Sequence, residues 1–447
     1  MNVKVPQIDY NEAIKSSGLL KKLLFVLFAL LIYRFGTFIP VPGVNSAVLE
    51  QIFSQHQGGI LGIFDMFTGG ALMRFSIFAL GVMPYISASI IMTLLQTSFE
   101  HLKSLKEQGA QGRKKIQEYT RYFTVLLALL QSYGISNGIL NLSDDINPIL
   151  GNVFFFQLSA IICMTSGTIF LVWLGDQISE NGLGSGISVL IFAGIVANLP
   201  FAVVNFFDLG RTGAISSITI VFILFVLIFL IIGIVFVERS QRRLLVQYPK
   251  RQVGNKVFGG QSSYLPIKLN ISGVIPAIFA SSLLLLPTTL SNLSSNNSGI
   301  LYDIGFYFQH GKPLYMIFLF SMIIFFAFFY TAIVFNPKET ADNLKKYGGF
   351  VPGIRPGENT ANYLDYVLTR LTVVGAIYLS AVCLLPELLI AKYKVPFYFG
   401  GTSLLIVVSV TMDTVQQIQS YLIAHQYEGL IKKSSLRNKR RWLILFY

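Results

Sequence analysis

Ten apolar stretches of about 20 residues recur along the chain, and this recurrence limits the possible folds more than any other feature. A helix of that length spans the hydrocarbon core of a bilayer. Only 12% of the 447 residues are charged, whereas soluble proteins carry about 25%. The pattern therefore predicts an all-α polytopic membrane protein with ten transmembrane helices. The predicted spans lie at about 20–40, 75–95, 119–140, 153–174, 186–206, 215–237, 272–290, 314–335, 371–390 and 397–417.

The distribution of basic residues predicts which loops face the cytoplasm. With the N-terminus inside, most of the 34 Lys and Arg residues fall in cytoplasmic segments. An even number of spans then places the C-terminus inside as well. The first span contains Arg34 and lacks a small-residue cleavage site, so we expect it to be retained. The outer segments hold Arg74, Arg211, Lys312, Lys392 and Lys394.

A short apolar segment, LGIFDMFTGG at residues 61–70, precedes the second span and contains Asp65. A ten-residue helix is about 15 Å long and cannot cross a hydrocarbon core about 30 Å thick. Gly69 and Gly70 offer a hinge because glycine adopts backbone conformations that other residues avoid. The residues alone predict a re-entrant or interfacial piece and leave its role open.

Two long cytoplasmic loops carry strong turn signals. In the first, residues 243–248 and 263–269 predict two strands of a protruding basic hairpin. The second, residues 336–370, predicts a helix at NPKETADNLKK with proline in its first turn. A Gly/Pro loop, GGFVPGIRPG, follows with Arg355 near its tip. Basic residues in a loop often serve only to orient the protein in the membrane. A structured tip that projects an arginine instead favours a site where a partner molecule docks.

Gly/Pro interruptions recur in the second span of each half. Pro84 interrupts the first, and Gly273, Pro276 and Pro287 interrupt the second. Paired interruptions of this kind are typical of a transport pathway between two repeated halves. We therefore divide the chain into pseudo-symmetric five-helix halves at 1–210 and 211–430, followed by a basic and apolar tail at 431–447.

The spans contain little reactive chemistry. No ionisable residue lies in the core of spans two to ten, because Glu238, Arg370, Glu387 and Asp413 are expected at span edges. Ion-coupled transporters usually keep such a group at membrane depth. Scattered histidines, two isolated cysteines and the lack of a phosphate-binding loop favour no cofactor, no metal and no enzyme. This composition is typical of a transmembrane pathway whose lining neither binds ions nor reacts with the molecule that passes through it.

Five segments carry a resemblance to a known family. They are FALGVMPYISASII (78–91), GLGSGISVLIFAGIVANLP (182–200), GVIPAIFASS (273–282), FNPKETADNLKKYGGFVPGIRPGENT (335–360) and VPFYFGGTSLLIVVSVTMD (395–413). In this order they resemble the SecY family of bacterial protein-export channels over roughly residues 15–430. The resemblance implies a protein-conducting channel with a sealed resting state, located in the bacterial cytoplasmic membrane.

The resemblance also assigns roles within the pore. The segment at 61–70 corresponds to a plug that caps the closed channel. The family has a waist of six apolar side chains, and a constriction of this kind gates ions by dewetting. The plug residues are Leu61, Gly62, Ile63, Phe64, Asp65, Met66, Phe67, Thr68, Gly69 and Gly70. The waist residues are Val82, Ile86, Ile187, Ile191, Ile278 and Ile406.

Further roles follow from the same resemblance. A lateral gate between spans two and seven, near Ser87 and Leu286, would release hydrophobic segments into lipid. Arg251, Lys256 and Arg355 would dock a SecA motor ATPase and the ribosome. Small SecE- and SecG-like membrane subunits, membrane lipids and unfolded polypeptides with signal sequences are the other expected partners. The alternative function is a secondary transporter with a broken-helix substrate site, which would need an in-span charge.

Overall fold

The computed structural model describes residues 18–45, 48–49, 65, 67–142, 149, 151–213, 216–249, 251–253, 256–258, 262–293, 312–393 and 400–445. Helices form nearly all of the regular structure in this part of the chain. The helices are α1 Leu19–Gly36, α2 Met83–Ser98, α3 Glu100–Glu107, α4 Ala110–Leu142, α5 Val153–Asn181, α6 Gly186–Arg211, α7 Ser217–Arg239, α8 Ile275–Leu293, α9 Pro313–Val334, α10 Pro337–Lys346, α11 Glu358–Tyr393 and α12 Gly401–Leu445. The strands are β1 Gln241–Gln247, β2 Arg251–Val253, β3 Lys256–Phe258 and β4 Ser262–Lys268.

Each predicted span overlaps a helix of the structure. Within the described residues, six helices are long and apolar enough to cross a membrane, namely α4, α5, α6, α7, α9 and α11. Their outer surfaces are apolar as well. On α7, for example, Phe225 is 69% exposed and Phe229 is 70% exposed. A helix that is hydrophobic on all sides belongs in a core or in a bilayer, and these exposed rings indicate the bilayer.

The second predicted span is wrong at its start, because α2 begins at Met83 rather than near residue 75. The preceding stretch is a series of turns, and Phe75 has a φ of 47°. Its main chain pairs with the segment after α1: Val41 N donates to Phe75 O at 2.9 Å, and Ile77 N donates to Ile39 O at 3.0 Å. Pro84 in the first turn suits the start of a helix. Irregular backbone at membrane depth is stable only where protein buries it, and Phe75 is fully buried.

The last two spans are longer than predicted. Helix α11 starts at Glu358 and α12 continues to Leu445, so the tail predicted after residue 430 continues a helix. Glu387 was expected at a span edge, but it lies inside α11 and is 7% exposed. It is close to the C-terminal end of that helix at Tyr393, so the interior of the span keeps its apolar character.

The predicted hairpin is confirmed, and its position on the cytoplasmic side remains a prediction. Strands β1 and β4 pair antiparallel from Gln241 opposite Lys268 to Gln247 opposite Ser262. The short strands β2 and β3 extend the hairpin as a second antiparallel pair. The helix predicted in the second loop is α10. Its N-cap is Asn336, whose side chain accepts hydrogen bonds from Lys338 N and Glu339 N.

Candidate pore, plug and docking surface

The six waist residues lie on four helices. Ile86 is on α2, and Val82 is the N-cap residue just before that helix begins. The others are Ile187 and Ile191 on α6, Ile278 on α8 and Ile406 on α12. These helices meet, since α2 contacts α8, α8 contacts α12 and α12 contacts α6. All six side chains belong to or pack against one hydrophobic cluster. That cluster includes most of the membrane core, so a ring of these six remains a prediction.

Close helix contact helps to position one side of this group. A Cβ atom on Gly186 of α6 would collide with Gly175 O of α5. A Cβ atom on Gly175 would lie 3.0 Å from Ile187 Cγ1. The two glycines therefore let the backbones of α5 and α6 approach each other directly. Ile187 packs against the α5 backbone at Gly175, where there is no side chain in the way. A larger residue at either glycine would displace the first turn of α6.

The plug assignment falls partly outside the described residues, which include Asp65 and 67–70 but not Leu61, Gly62, Ile63, Phe64 or Met66. Phe67 and Thr68 are buried. Gly69 and Gly70 have φ values of 71° and 84°, a region that favours glycine. The predicted need for glycine at this point is confirmed, and the hinge motion itself remains a prediction.

Asp65 is held by the backbone of its own segment. Its Oδ1 accepts a hydrogen bond from Met73 N at 2.8 Å, and its carbonyl oxygen accepts one from Gly70 N at 2.9 Å. Burial raises the pKa of the Asp65 carboxyl, and the hydrogen bond from Met73 N–H partly opposes this rise. The hydrogen bond from Met73 N–H therefore accommodates the Asp65 carboxylate within this apolar segment. Together with the bond from Gly70 N–H, it joins Asp65 to the turns that follow.

Sequence reasoning missed the residues that contact the plug from outside. Four residues lie against Asp65 and residues 67–69, namely Tyr33 and Arg34 at the end of α1 and Gly194 and Asn198 on α6. Arg34 had a signal, because a charged residue within an apolar span usually has a functional partner. The other three had none, since tyrosine, glycine and asparagine are ordinary in such helices.

The lateral gate has one described side chain. Ser87 lies on α2 and is half-buried. Leu286 lies on α8, and its side chain is outside the described part of the chain. Helices α2 and α8 are in contact, and α8 also contacts α4. Spans two and seven therefore contact each other in this structure, and a lateral gate between them remains a prediction.

The two long loops, predicted to be cytoplasmic, form one unit. Gln247 N donates to Phe350 O at 2.9 Å and Phe350 N donates to Gln247 O at 3.0 Å, which joins strand β1 to the Arg355 loop. A small separate core packs between them. It consists of Leu244, Ile267, Ala341, Ala361, Leu364, Val367, Leu368 and Leu371. Because a core of this kind resists deformation, the hairpin and the loop present their surfaces at a constant spacing.

Arg355 is exposed at the tip of this unit. Gly353 and Gly357 flank it with φ values of 81° and 108°. The Thr360 hydroxyl donates a hydrogen bond to Arg355 O at 2.9 Å. Arg251 and Lys256 lie in β2 and β3, and their side chains are outside the described part.

The base of the hairpin is bound to the start of α8. Leu269 N donates to Ser240 O at 3.0 Å. The Asn270 amide donates to Glu238 Oε1 at 2.8 Å and to Gly273 O at 3.1 Å. These contacts connect the unit formed by the two loops to the start of α8, the helix that carries Ile278, through the consecutive residues Leu269 and Asn270.

Within the described residues, no group of His, Cys, Asp or Glu could hold a metal ion. The described residues of the candidate site form apolar, backbone and basic surfaces.

Comparison with known proteins agrees with this arrangement. A family model, SecY, matches residues 76–415. The protein translocase subunit SecY of Escherichia coli (strain K12) is 50% identical over 441 residues, which cover 98% of this chain and 100% of the relative.

Solved structures share the fold. One, described as showing that the plug domain of SecY stabilises the closed state of the translocation channel and maintains a membrane seal, has a TM-score of 0.67, 19% identity and coverage of 91% of this chain and 93% of that one. Another, Sec61 in the canine ribosome-channel complex from the endoplasmic reticulum, has a TM-score of 0.60, 18% identity and coverage of 90% and 92%. The family match and the half-identical relative show that this chain belongs to the SecY family.

Proposed function

We propose that this chain is the central subunit of a protein-conducting channel in the bacterial cytoplasmic membrane. It passes secretory polypeptides across the membrane and releases membrane proteins sideways into lipid. The observation that carries this proposal is the 50% identity to a protein translocase subunit over 98% of the chain. The contact between spans two and seven, the apolar cluster and the burial of Phe67 and Thr68 support it, because a channel at rest must exclude ions.

The proposed channel is passive and has no catalytic activity of its own. A SecA-type motor ATPase or a translating ribosome supplies the movement, and SecE- and SecG-like subunits complete the complex. Support comes from the rigid cytoplasmic unit that carries Arg355, and from the ribosome-bound state of the canine channel with the same fold. Both termini face the cytoplasm in this proposal.

The function is tested by reconstitution. The purified chain, assembled with its small subunits in vesicles, should import a secretory precursor in the presence of the motor and ATP. Vesicles without the chain, and vesicles with the motor but without ATP, are the controls. Import of a small solute with saturable kinetics, and no import of the precursor, would instead support the transporter alternative.

The plug assignment predicts a separate result. Deleting residues 61–70 should leave export largely intact but allow ions through the resting channel, because the deleted segment does not span the membrane. Planar-bilayer conductance of the deleted and intact channels, recorded without motor or precursor, measures this. Equal resting conductance would remove the plug role while leaving the export function untouched.

A further inference from the structure

Two consecutive residues of α1 hold the plug segment by its main chain. Tyr33 Oη donates a hydrogen bond to Thr68 O at 3.0 Å, and this contact is buried. Arg34 Nη1 donates to Gly69 O at 2.7 Å. Both acceptors are backbone carbonyl oxygens, so neither contact depends on which side chain the plug carries at these positions.

Helix α6 closes the other side of the same segment. A Cβ atom on Gly194 would lie 2.6 Å from Phe67 O, and a Cβ atom on Gly69 would lie 3.1 Å from Gly194 Cα. The Asn198 amide approaches Asp65 O at 3.4 Å. The segment thus lies with its backbone directly against the backbone of α6. Only glycine at position 194 permits this approach.

The position of Arg34 is determined by a second interaction. Its guanidinium carbon lies 4.8 Å from the centre of the Phe38 ring, and that of Arg74 lies 4.2 Å from the same centre. The face of the Phe38 ring attracts the Arg34 guanidinium and holds it near the end of α1, against the repulsion between the two cations. A positioned, charged donor makes a stronger hydrogen bond than a neutral one.

We propose that Tyr33 and Arg34 form a latch that keeps the plug closed by gripping the carbonyl groups of Thr68 and Gly69. The proposal rests on the proposed channel function, and it makes Tyr33 and Arg34 positioning residues. Thr68 is 1% exposed, so its carbonyl oxygen is shielded from water when the plug is seated. If the donor is removed, the seated plug leaves that oxygen unpaired, whereas a displaced plug lets water bind it. Loss of the donor therefore favours the displaced state.

Single substitutions test the latch. Tyr33→Phe removes one buried hydroxyl and should raise resting ion conductance about fivefold, the effect of losing one neutral hydrogen bond. Arg34→Met removes a charged donor and should raise it by about tenfold or more. Arg34→Lys keeps the positive charge but loses the planar guanidinium, and its conductance should fall between those of wild type and Arg34→Met. The recording uses the complete channel complex in planar bilayers without motor.

A matched control is available on α11. Tyr378 has a buried hydroxyl for which no hydrogen-bond partner lies within the described residues, so Tyr378→Phe should leave the conductance unchanged.

Gly194→Ala adds a Cβ atom that would lie 2.6 Å from Phe67 O, so it should also open the plug without removing any hydrogen bond. Export must not fall in the latch variants, because a folding defect would lower export and a released plug would not.

Deletion of the plug distinguishes a failure of the latch proposal from a failure of the proposed channel function. In a chain without residues 61–70, Tyr33→Phe and Arg34→Met should add no further leak, because the carbonyl groups they hold are gone or displaced. If deletion of the plug makes the channel leak but neither latch variant does, the latch is wrong and the channel function stands. If the latch substitutions raise the conductance by the same factor in the intact channel and in the channel without residues 61–70, they act on the pore directly and the proposal is also overturned.

Discussion

Replacing Ile86 and Ile191 together with asparagine is expected to raise the resting ion conductance of the channel at least about tenfold, because polar groups hydrate a constriction that excludes water while it is apolar. Both side chains are buried, at 8% and 5% exposure, and they lie on different helices, α2 and α6. The same pair should relax the need for a strongly hydrophobic signal sequence, because the closed state loses apolar packing. Conductance in planar bilayers and export of precursors with weakened signals measure the two effects.

Two controls accompany the waist variant. Ile86→Leu with Ile191→Leu keeps the constriction apolar and should stay closed. Ile323→Asn changes an equally buried isoleucine on α9, outside the proposed waist, and should not create an ion path. If the asparagine pair still rejects defective signals and conducts no more ions than wild type, these residues do not form the constriction in this chain.

Arg355→Glu is expected to abolish motor-driven export, to below about one-hundredth of the wild-type rate, because reversal of a paired charge costs several kcal/mol at a docking surface. The structure strengthens this expectation. The loop is fixed by the hydrogen bond from Thr360 and by its bridge to the hairpin at Phe350. A side chain on a stiff support loses little entropy when it is bound. Arg355→Lys should be partly impaired, since it keeps the charge but loses the planar fork that pairs with carboxylate or phosphate.

The measurement is ATP-dependent translocation into vesicles at matched channel levels, with binding of motor and ribosome followed against salt. Both interactions should weaken as salt rises. Arg113→Glu makes the same charge change on an exposed arginine at the start of α4, and it should export normally. Full export by Arg355→Glu would make Arg355 a topology charge and leave Arg251 and Lys256 as the docking candidates.

Local patterns alone predicted much of this fold. The ten apolar stretches, the glycine-punctuated strands of the hairpin and the proline near the start of α10 are all local signals. Each overlaps the expected element, although α2 begins later than predicted. The physical reason is that span length, strand pairing in a hairpin and helix caps depend on neighbours in the chain. The waist is different: isoleucine and valine fill every span, so its six positions came only from the family resemblance.

Contacts between distant residues were decided by the tertiary structure. The late start of α2 depends on pairing of residues 75–77 with residues 39–41, which compensates the irregular backbone. The union of the two cytoplasmic loops depends on Gln247 meeting Phe350. The contacts of Tyr33 and Arg34 with Thr68 and Gly69 join residues 35 positions apart in the chain. The acceptors in all of these contacts are backbone carbonyl groups, which every residue type carries. The charge of Arg34 within a span indicated that it has a partner, but no residue pattern could identify the partners before the chain was folded.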